Sequence, residues 1–321
     1  MSNNLTIRDI ATLANVGKST VSRVLNHDPK VKDETRQKIL QVMKEHDYTP
    51  SRSAQGMRGT KSKVIGIIVS RLDSTSENSA VSEILPLCEK AGYDAVIMES
   101  QFSQNKLEEH LKTLKKRNVD GVIAFCFSDC DLSIFDDFKN KMVLLSTSTD
   151  EITSVIYNNY GAIMLVLAHL KRIGVTEISY VGVDPQDRTT GEERLRAYLD
   201  FCQREKISPC YSTGKLSYQN AYEQAATVIH PHTQAIVCAT DSLALGVAKK
   251  LHQLHREDVI VTGVGGSELL SFMFPKTLSV DLGHQEAGRT ATQLLLQQLT
   301  GHTETMHKIM PIKLIMPNHS H

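Results

Sequence analysis

The sequence predicts an N-terminal all-α domain joined by a hinge to a larger α/β core of two lobes. Three observations predict it: helical apolar spacing interrupted by turn residues over 1–48, a small-residue linker with four cations over 49–63, and strand-helix alternation over 64–321. Charge divides the chain at the same place. Residues 1–63 carry 12 Lys plus Arg against 6 Asp plus Glu, a balance of +6, while the remaining 258 residues carry 24 against 30. A basic module on an acidic body is the footprint of phosphate-backbone binding, although a three-helix bundle with a solvated outer face need bind nothing.

Thr6 is a good N-cap, and Ile7, Ile10, Ala11 and Ala14 recur at three- and four-residue spacing, which predicts a first helix over Ile7–Ala14. Asn15 and Gly17 break it, since both accept the left-handed backbone of a tight turn. The second helix, Lys18–Leu25, places Val21, Val24 and Leu25 on one side and Lys18, Ser19, Ser22, Arg23 and Asn26 on the other. A third helix, from about Asp33 to His46, is built on Ile39, Leu40, Val42 and Met43. Two helices across a short turn, braced by a third, make a helix-turn-helix unit, and the partner that fits its cations and hydroxyls is double-stranded DNA. Arginine grips guanine O6 and N7 with two bonds, and short hydroxyls suit phosphates.

The run Thr20-Val21-Ser22-Arg23-Val24-Leu25-Asn26, with Asp9-Ile10-Ala11, Val16, Thr35-Arg36, Tyr48, Pro50, Arg52 and Ala54, resembles nearly position for position the headpiece of the LacI/GalR family of bacterial transcription repressors. The resemblance implies that Lys18, Ser19 and Arg23 read bases and that Thr6, Thr20, Ser22, Asn26 and Thr35 lie against the DNA backbone. It also implies a homodimer on a pseudo-palindromic operator. Four positions depart from the family: Asn15 replaces a turn glycine, Gly17 and Lys32 replace capping serines, and Asp47 replaces a glycine before the tyrosine. Lys32 cannot cap and a left-handed Asp47 is strained, so the third helix is expected to fray at both ends, leaving Lys32 available to a phosphate. By the same resemblance residues 49–63 are a hinge that folds on the operator, with Met57 as a wedge in the minor groove. Gly56 costs roughly 1 kcal/mol in a helix relative to Ala, which favours folding only on DNA; the alternative is a plain flexible linker.

From Val64 onward, strands are expected at Val64–Val69, Ala95–Met98, Gly121–Phe125, Met142–Leu145, Val155–Tyr157, Ile178–Val183, Ala235–Cys238, Val259–Gly263 and Leu278–Asp281. Helices are expected at Ala80–Ala91, Lys106–Arg117, Gly161–Ile173, Arg194–Glu205, Ser242–Leu254 and Gln285–Leu299. This alternation implies parallel sheets with helices on both faces, and the length implies two lobes side by side. The core resembles the periplasmic-binding-protein-like (type I) core of the same family. Helices such as Ala80–Ala91 are candidates for the dimer interface, and the absence of a heptad tail after Leu299 argues against a coiled-coil tetramer.

Ligands of open parallel sheets bind beyond the carboxyl ends of the strands, so the loops there carry the candidates. In the first, Ser70 to Asn78, Arg71 at a strand end is followed by hydroxyls at a helix start, a combination that suits an anion; a surface ion pair is the other reading of Arg71. The segments SRLDSTSENSAV, KSTVSRVLN and MESQFS resemble the trehalose-responsive branch of the family, which implies a sugar phosphate effector, trehalose 6-phosphate, control of trehalose uptake and utilisation genes, and Arg71 on the phosphate. Ser74, Glu77 and Asn78 complete that loop's expected effector contacts. A second arginine of that branch is replaced by Thr147. Either Arg71 holds the phosphate with hydroxyls and backbone amides alone, or the effector is a different sugar.

In the second loop, Asp187 to Arg194, the resemblance puts Arg194 on sugar hydroxyls, with Asp187 and Thr190 beside it and Ala197 in place of the motif's glycine. Arg196 is expected to face solvent or Asp200. In the third, Asp241 either accepts sugar hydroxyls or caps the following helix. A further acid of the family is absent from Gly263-Val264-Gly265-Gly266-Ser267, which lacks the lysine of a P-loop and the spacing of a dinucleotide turn.

Thirteen histidines form no His-Glu-x-x-His, and no Gly-x-Ser-x-Gly elbow or Cys-x-x-Cys occurs, so neither an enzyme, a metal site nor a cofactor is expected. Six cysteines mostly within apolar stretches suit reduced thiols in the cytoplasm, with the protein on nucleoid DNA. No run reaches a membrane span and the N-terminus has no apolar signal core, which separates this chain from an exported sugar-binding protein of similar body.

Overall fold

The computed structural model describes residues 5–25, 28–46, 48, 62–127 and 130–317, so Asn26, Asp47 and Met57 lie outside the described residues. Contacts divide the chain into two compact units, residues 1–63 with 117–120, and residues 64–116 with 121–321.

The first unit holds α1 (Ile7–Leu13), α2 (Lys18–Leu25) and α3 (Asp33–Glu45) around a core that includes Ile10, Ala14, Val21, Val24, Ile39 and Met43. Thr6 and Asp9 form a reciprocal capping box: the Thr6 N–H donates to Asp9 Oδ2 at 2.7 Å and the Asp9 N–H to the Thr6 hydroxyl at 3.4 Å. Of the two turn residues only Asn15 is left-handed, with φ 51°. Gly17 stands instead at the head of α2, its carbonyl accepting the Thr20 N–H at 2.8 Å. A Cβ there would meet only the Ser19 and Thr20 hydroxyls at 3.6 and 3.8 Å, so the position does not require glycine. Leu40, expected in the core, is 45% exposed. It falls at the edge of the apolar stripe, which helices this short bury only along its middle. Lys32 heads α3 without a side-chain cap, as expected, with Asp33 and Glu34 opposing the helix dipole in the first turn. The far end of α3 is tied rather than frayed, the Tyr48 N–H donating to the Met43 carbonyl at 2.8 Å.

The second unit has two lobes. In the first, β1 (Val64–Val69), β2 (Asp94–Glu99), β3 (Gly121–Phe125), β4 (Met142–Leu145), β5 (Ser154–Tyr157) and β11 (His307–Met310) form a parallel sheet in the order β11-β5-β4-β3-β1-β2. Its helices are α4 (Thr75–Lys90) and α5 (Gln104–Lys116). The second lobe holds α6 (Asn159–Arg172), β6 (Ile178–Val183), α7 (Arg194–Glu205), β7 (Cys210–Gly214), α8 (Tyr218–Val228), β8 (Ala235–Cys238), α9 (Asp241–Gln253), β9 (Ile260–Val264), α10 (Glu268–Met273), β10 (Leu278–Asp281) and β12 (Lys313–Ile315). Its sheet runs β12-β10-β9-β8-β6-β7, parallel except for β12. Every residue of β1, β3, β4, β6 and β8 is buried, which is why all but β6, with its buried Ser179, read as runs without a polar side chain.

The lobes are not contiguous in sequence. The chain leaves the first after β5, returns with α11 (His284–Leu299) and β11, and ends in the second with β12. Helix α11 packs on α4 of the first lobe, and the contact is close enough that a Cβ on Gly288 would stand 2.2 Å from the Ala80 carbonyl. Helix α4 begins at Thr75, before the expected Ala80, and Ala80 is buried within its own lobe. The elements the sequence did not reveal, β7, α8, α10, β11 and β12, are short or polar, and β11 and β12 are partly exposed edge strands.

Candidate functional site

On the first unit, α2 presents one polar face. Lys18, Ser19 and Arg23 are exposed, Thr20 and Ser22 half-buried, and Val21 and Val24 buried beneath them. Arg23 is 4.0 Å from Asp28, an exposed pair too weak to hold the guanidinium in place. Arg36 of α3 donates to the Asp28 carbonyl at 2.7 Å. Thr35 is half-buried in the first turn of α3. The Thr6 hydroxyl is exposed but already bonded to Asp9, and that bond holds the Asp9 carboxyl below its ordinary range.

On the second unit, a cavity opens at the carboxyl ends of both sheets, lined from one lobe by Arg71, Ser74, Glu77 and Tyr157 and from the other by Asp187, Thr190, Arg194 and Asp241. The Arg71 loop is pinned at three points. The N–H groups of Ser70 and Arg71 donate to Glu77 Oε2 at 2.7 and 3.5 Å, the Leu72 N–H to Glu99 at 2.8 Å, and the Asn78 amide to the Leu72 carbonyl at 2.9 Å. Ser74 caps α4 by accepting the Glu77 N–H and meets the Ser76 hydroxyl at 3.1 Å. Glu77 thus orders the loop from within, and burial pushes its carboxyl up to about 7 against the opposing effect of those N–H donors. Asn78, expected at the effector, holds the loop and is not among the residues around the cavity. The Arg71 guanidinium is left beside Asp73 at 3.2 Å.

Across the cavity, Asp187 accepts the Thr189 and Thr190 N–H groups at 2.9 and 3.0 Å and so caps the tight π-type turn Arg188–Glu193. Gly191 lets that turn close, because a Cβ would stand 2.1 Å from the Asp184 carbonyl. The turn delivers Arg194, only 5% exposed, to the cavity wall. Its Nε and Nη2 donate to Asn159 Oδ1 at 3.0 and 2.6 Å, and its Nη1 donates to the Ala239 carbonyl. Asp241 is not the cap of α9, a role taken by Thr240, whose hydroxyl accepts the Leu243 N–H at 3.2 Å. Its carboxylate accepts the Ser279 hydroxyl and the Ser267 N–H, each at 2.6 Å, and burial pushes it up to about 6. Arg196 lies outside the cavity over the Tyr160 ring, 5.6 Å from its centroid, while Asp200 accepts the Tyr160 hydroxyl.

The sequence reading missed Tyr157, Asn159 and His284. Tyr157 and His284 meet edge to face at 4.8 Å, and burial drives the imidazole down to about 4, so it is neutral at neutral pH. Tyr157 and Asn159 end and follow β5, and His284 follows β10, so the strand-end rule applied to those two strands would have found all three. Among the described residues, the cavity's charged cations are Arg71 and Arg194 alone, and Thr147 does not line it. No group of described residues could hold a metal ion, and no described helix is long and apolar enough to cross a membrane.

A three-helix headpiece and a two-lobed core with a polar cleft define a helix-turn-helix regulator on a periplasmic-binding-protein-like body. The family model for bacterial regulatory proteins of the lacI family matches residues 6–51, and that for periplasmic binding protein-like domains matches residues 167–317. The chain is 44% identical to the HTH-type transcriptional regulator TreR of Salmonella typhimurium and, equally, to that of Escherichia coli, over 98% of this chain and 100% of each relative. A solved trehalose repressor from Escherichia coli superposes with a TM-score of 0.77 at 41% identity, covering 78% of this chain and 99% of that one. The lac repressor dimer bound to operator shares the fold, with a TM-score of 0.84 at 23% identity over 98% of both chains. The chain belongs to the LacI family, and it is a DNA-binding transcription regulator rather than an enzyme.

Proposed function

We propose that the chain is a homodimeric repressor of trehalose uptake and utilisation genes, acting in the cytoplasm, whose paired headpieces read a pseudo-palindromic operator and whose cleft takes trehalose 6-phosphate. Residues 1–48 form the DNA-binding domain, 49–63 the hinge, and 64–321 the effector-binding and dimerisation core. Lys18, Ser19 and Arg23 read bases from the exposed face of α2, while Thr20, Ser22 and Thr35 approach phosphates from its margin. Thr6 joins them through its backbone or by sharing its hydroxyl.

The observation that carries the effector reading is Arg71, a partly solvated guanidinium at a strand end with the Ser74 and Ser76 hydroxyls and the start of α4 beside it. Guanidinium, hydroxyls and free helix N–H groups together suit a phosphate. Thr190, Asp241 and His284 offer hydroxyl, carboxylate and imidazole groups to a sugar from the other side. Binding that favours one lobe arrangement over another changes the order of the hinge and so the operator affinity. The absence of a second unengaged cation among the described cavity residues favours one alternative, a sugar effector without phosphate.

Fluorescence anisotropy on DNA from upstream of the chain's own gene, at stated salt, tests the proposal by titration with trehalose 6-phosphate and then trehalose. Release by the phosphorylated sugar alone is the expected result. Specific binding indifferent to it sinks the effector assignment and keeps the regulator.

A further inference from the structure

The polar groups of the cleft leave part of its wall unexplained. Phe102 lines the cavity and is 49% exposed, although a ring of that size gains most from burial. It follows β2 at the carboxyl end of the sheet, in a turn whose backbone is strained. Gln101 and Phe102 have φ 53° and 55°, and among the described residues they are the one consecutive pair of non-glycine residues in the left-handed region. Hydrogen bonds hold the turn in place. The Ser100 and Gln101 N–H groups donate to the Val69 and Ser70 carbonyls, each at 2.9 Å, which ties the turn to the loop that carries Arg71. The Gln101 amide donates to Glu99 at 2.8 Å, and its oxygen accepts from Lys106. Phe127, which follows β3 and also lines the cavity, meets Phe102 edge to face at 6.1 Å, with 76° between the ring planes. Strain that neighbouring bonds hold in place, and that leaves an apolar ring half in water, serves no packing purpose.

We propose that Phe102, braced by Phe127, is a platform on which a pyranose ring of the effector stacks, and that this contact selects for a sugar ring. The proposal rests on the reading of the cleft as a sugar site. A pyranose whose hydroxyls are mostly equatorial presents axial C–H bonds on its flat faces and its hydroxyls around its rim. The face of an aromatic ring carries the negative part of its quadrupole and attracts those C–H groups, while both apolar surfaces leave water. Hydroxyls at the rim stay free to bond side chains, and Thr190 and His284 line the same cavity. An open-chain polyol phosphate has the hydroxyls and the anion but no flat C–H face. Phe102 therefore acts on the ring whether or not the sugar is phosphorylated, which separates its part from that of Arg71.

The test compares the full-length parent protein with Phe102→Ala, Phe102→Tyr and Phe102→Gly by calorimetric titration with trehalose 6-phosphate and with trehalose. Phe102→Ala should weaken both sugars by a common factor of about ten, whereas Phe102→Tyr, which keeps the ring face, should stay within about two-fold of the parent. Phe102→Gly should weaken them as Phe102→Ala does while raising the urea midpoint, because glycine relieves the left-handed strain. Affinity of Phe102→Ala within about two-fold of the parent overturns the platform. Stability and affinity falling together in Phe102→Gly would make Phe102 a packing residue and overturns it as well. The chain has no tryptophan, so the emission of Phe102→Trp reports that position alone. Either sugar should shift that emission, and inorganic phosphate and sorbitol 6-phosphate should leave it unchanged. If the parent binds neither trehalose nor its phosphate, the trehalose reading fails, and the Phe102→Trp emission titrated with glucose 6-phosphate and with maltose still decides the platform: a shift with one of them supports it, and a shift with neither overturns it.

Discussion

Arg71 and Arg194 line the same cavity from opposite lobes, both on loops that follow strands, yet they are held in different ways. Arg194 is enclosed, with Nε, Nη1 and Nη2 all donating to Asn159 and Ala239 of its own lobe. Arg71 is about a third exposed, and its partner Asp73 is an almost free surface carboxylate. An enclosed guanidinium with fixed acceptors is a strut, because exchanging those acceptors for a ligand would strand a buried oxygen. A partly solvated one can exchange Asp73 for a ligand oxyanion at little cost, since exposed pairs contribute about 0 to 1 kcal/mol. On the proposed reading of the cleft the two arginines differ in role: Arg194 is fixed in the wall by three of its N–H groups, and Arg71 can exchange Asp73 for a ligand.

Arg194→Ala is the strongest test of that division. It leaves Asn159 and the Ala239 carbonyl without their donor, so urea denaturation should show a loss of about 3 kcal/mol or more. A loss below about 1 kcal/mol would mean that water replaces the guanidinium and that Arg194 is no strut. Next in size is the pH dependence set by the wall acids. Glu77 titrates at about 7 in the folded state against an ordinary 4.5, so the folded protein binds the extra proton and stability falls as pH rises through that window, by on the order of 2 kcal/mol. Asp241, at about 6 against 3.8, acts in the same direction at lower pH. His284, at about 4 against 6.5, acts oppositely, since its unfolded form binds the extra proton and stability rises with pH through its window. The measurement is therefore the difference between Glu77→Gln and the parent protein from pH 4 to 8, which should favour the variant increasingly up to about pH 7; a flat difference would place the Glu77 carboxylate in contact with solvent.

Arg71→Ala sharpens the other side of the comparison. Calorimetric titration should show affinity for trehalose 6-phosphate falling by about ten-fold or somewhat more, roughly 1.5 kcal/mol, with folding stability within about 0.5 kcal/mol of the parent. Equal weakening of trehalose would detach Arg71 from the phosphate. The smallest effect belongs to Asn78→Ala, which removes one partly exposed bond to the Leu72 carbonyl: about 0.5 kcal/mol of stability and no direct contact with ligand. A loss of affinity as large as that of Arg71→Ala would restore Asn78 to the binding site.

The headpiece was legible because its determinants are local. Thr6 and Asp9 sit three residues apart, Asn15 accepts a positive φ, and Val21 and Val24 share a helix face with Ile10 and Ala14 opposite, all of which spacing alone expresses. In the core, the buried strands were legible for the same reason, and strand ends pointed to Arg71, Thr190, Arg194 and Asp241. Short edge strands such as β11 and β12 carry little apolar signal, and no local pattern announces that α11 returns to the first lobe to press Gly288 on Ala80.

By itself the sequence determined the family, the polar face of α2, the two-lobed body and the loops that border the cleft. Only the tertiary structure decided which groups on those loops face each other and which face outward. Asn159 bonds Arg194 from 35 residues away, and Ser279 bonds Asp241 from 38. Hydrogen-bonding capacity belongs to a residue type and can be read from a letter. Whether that capacity is already engaged depends on partners brought together by packing, which spacing along the chain does not express.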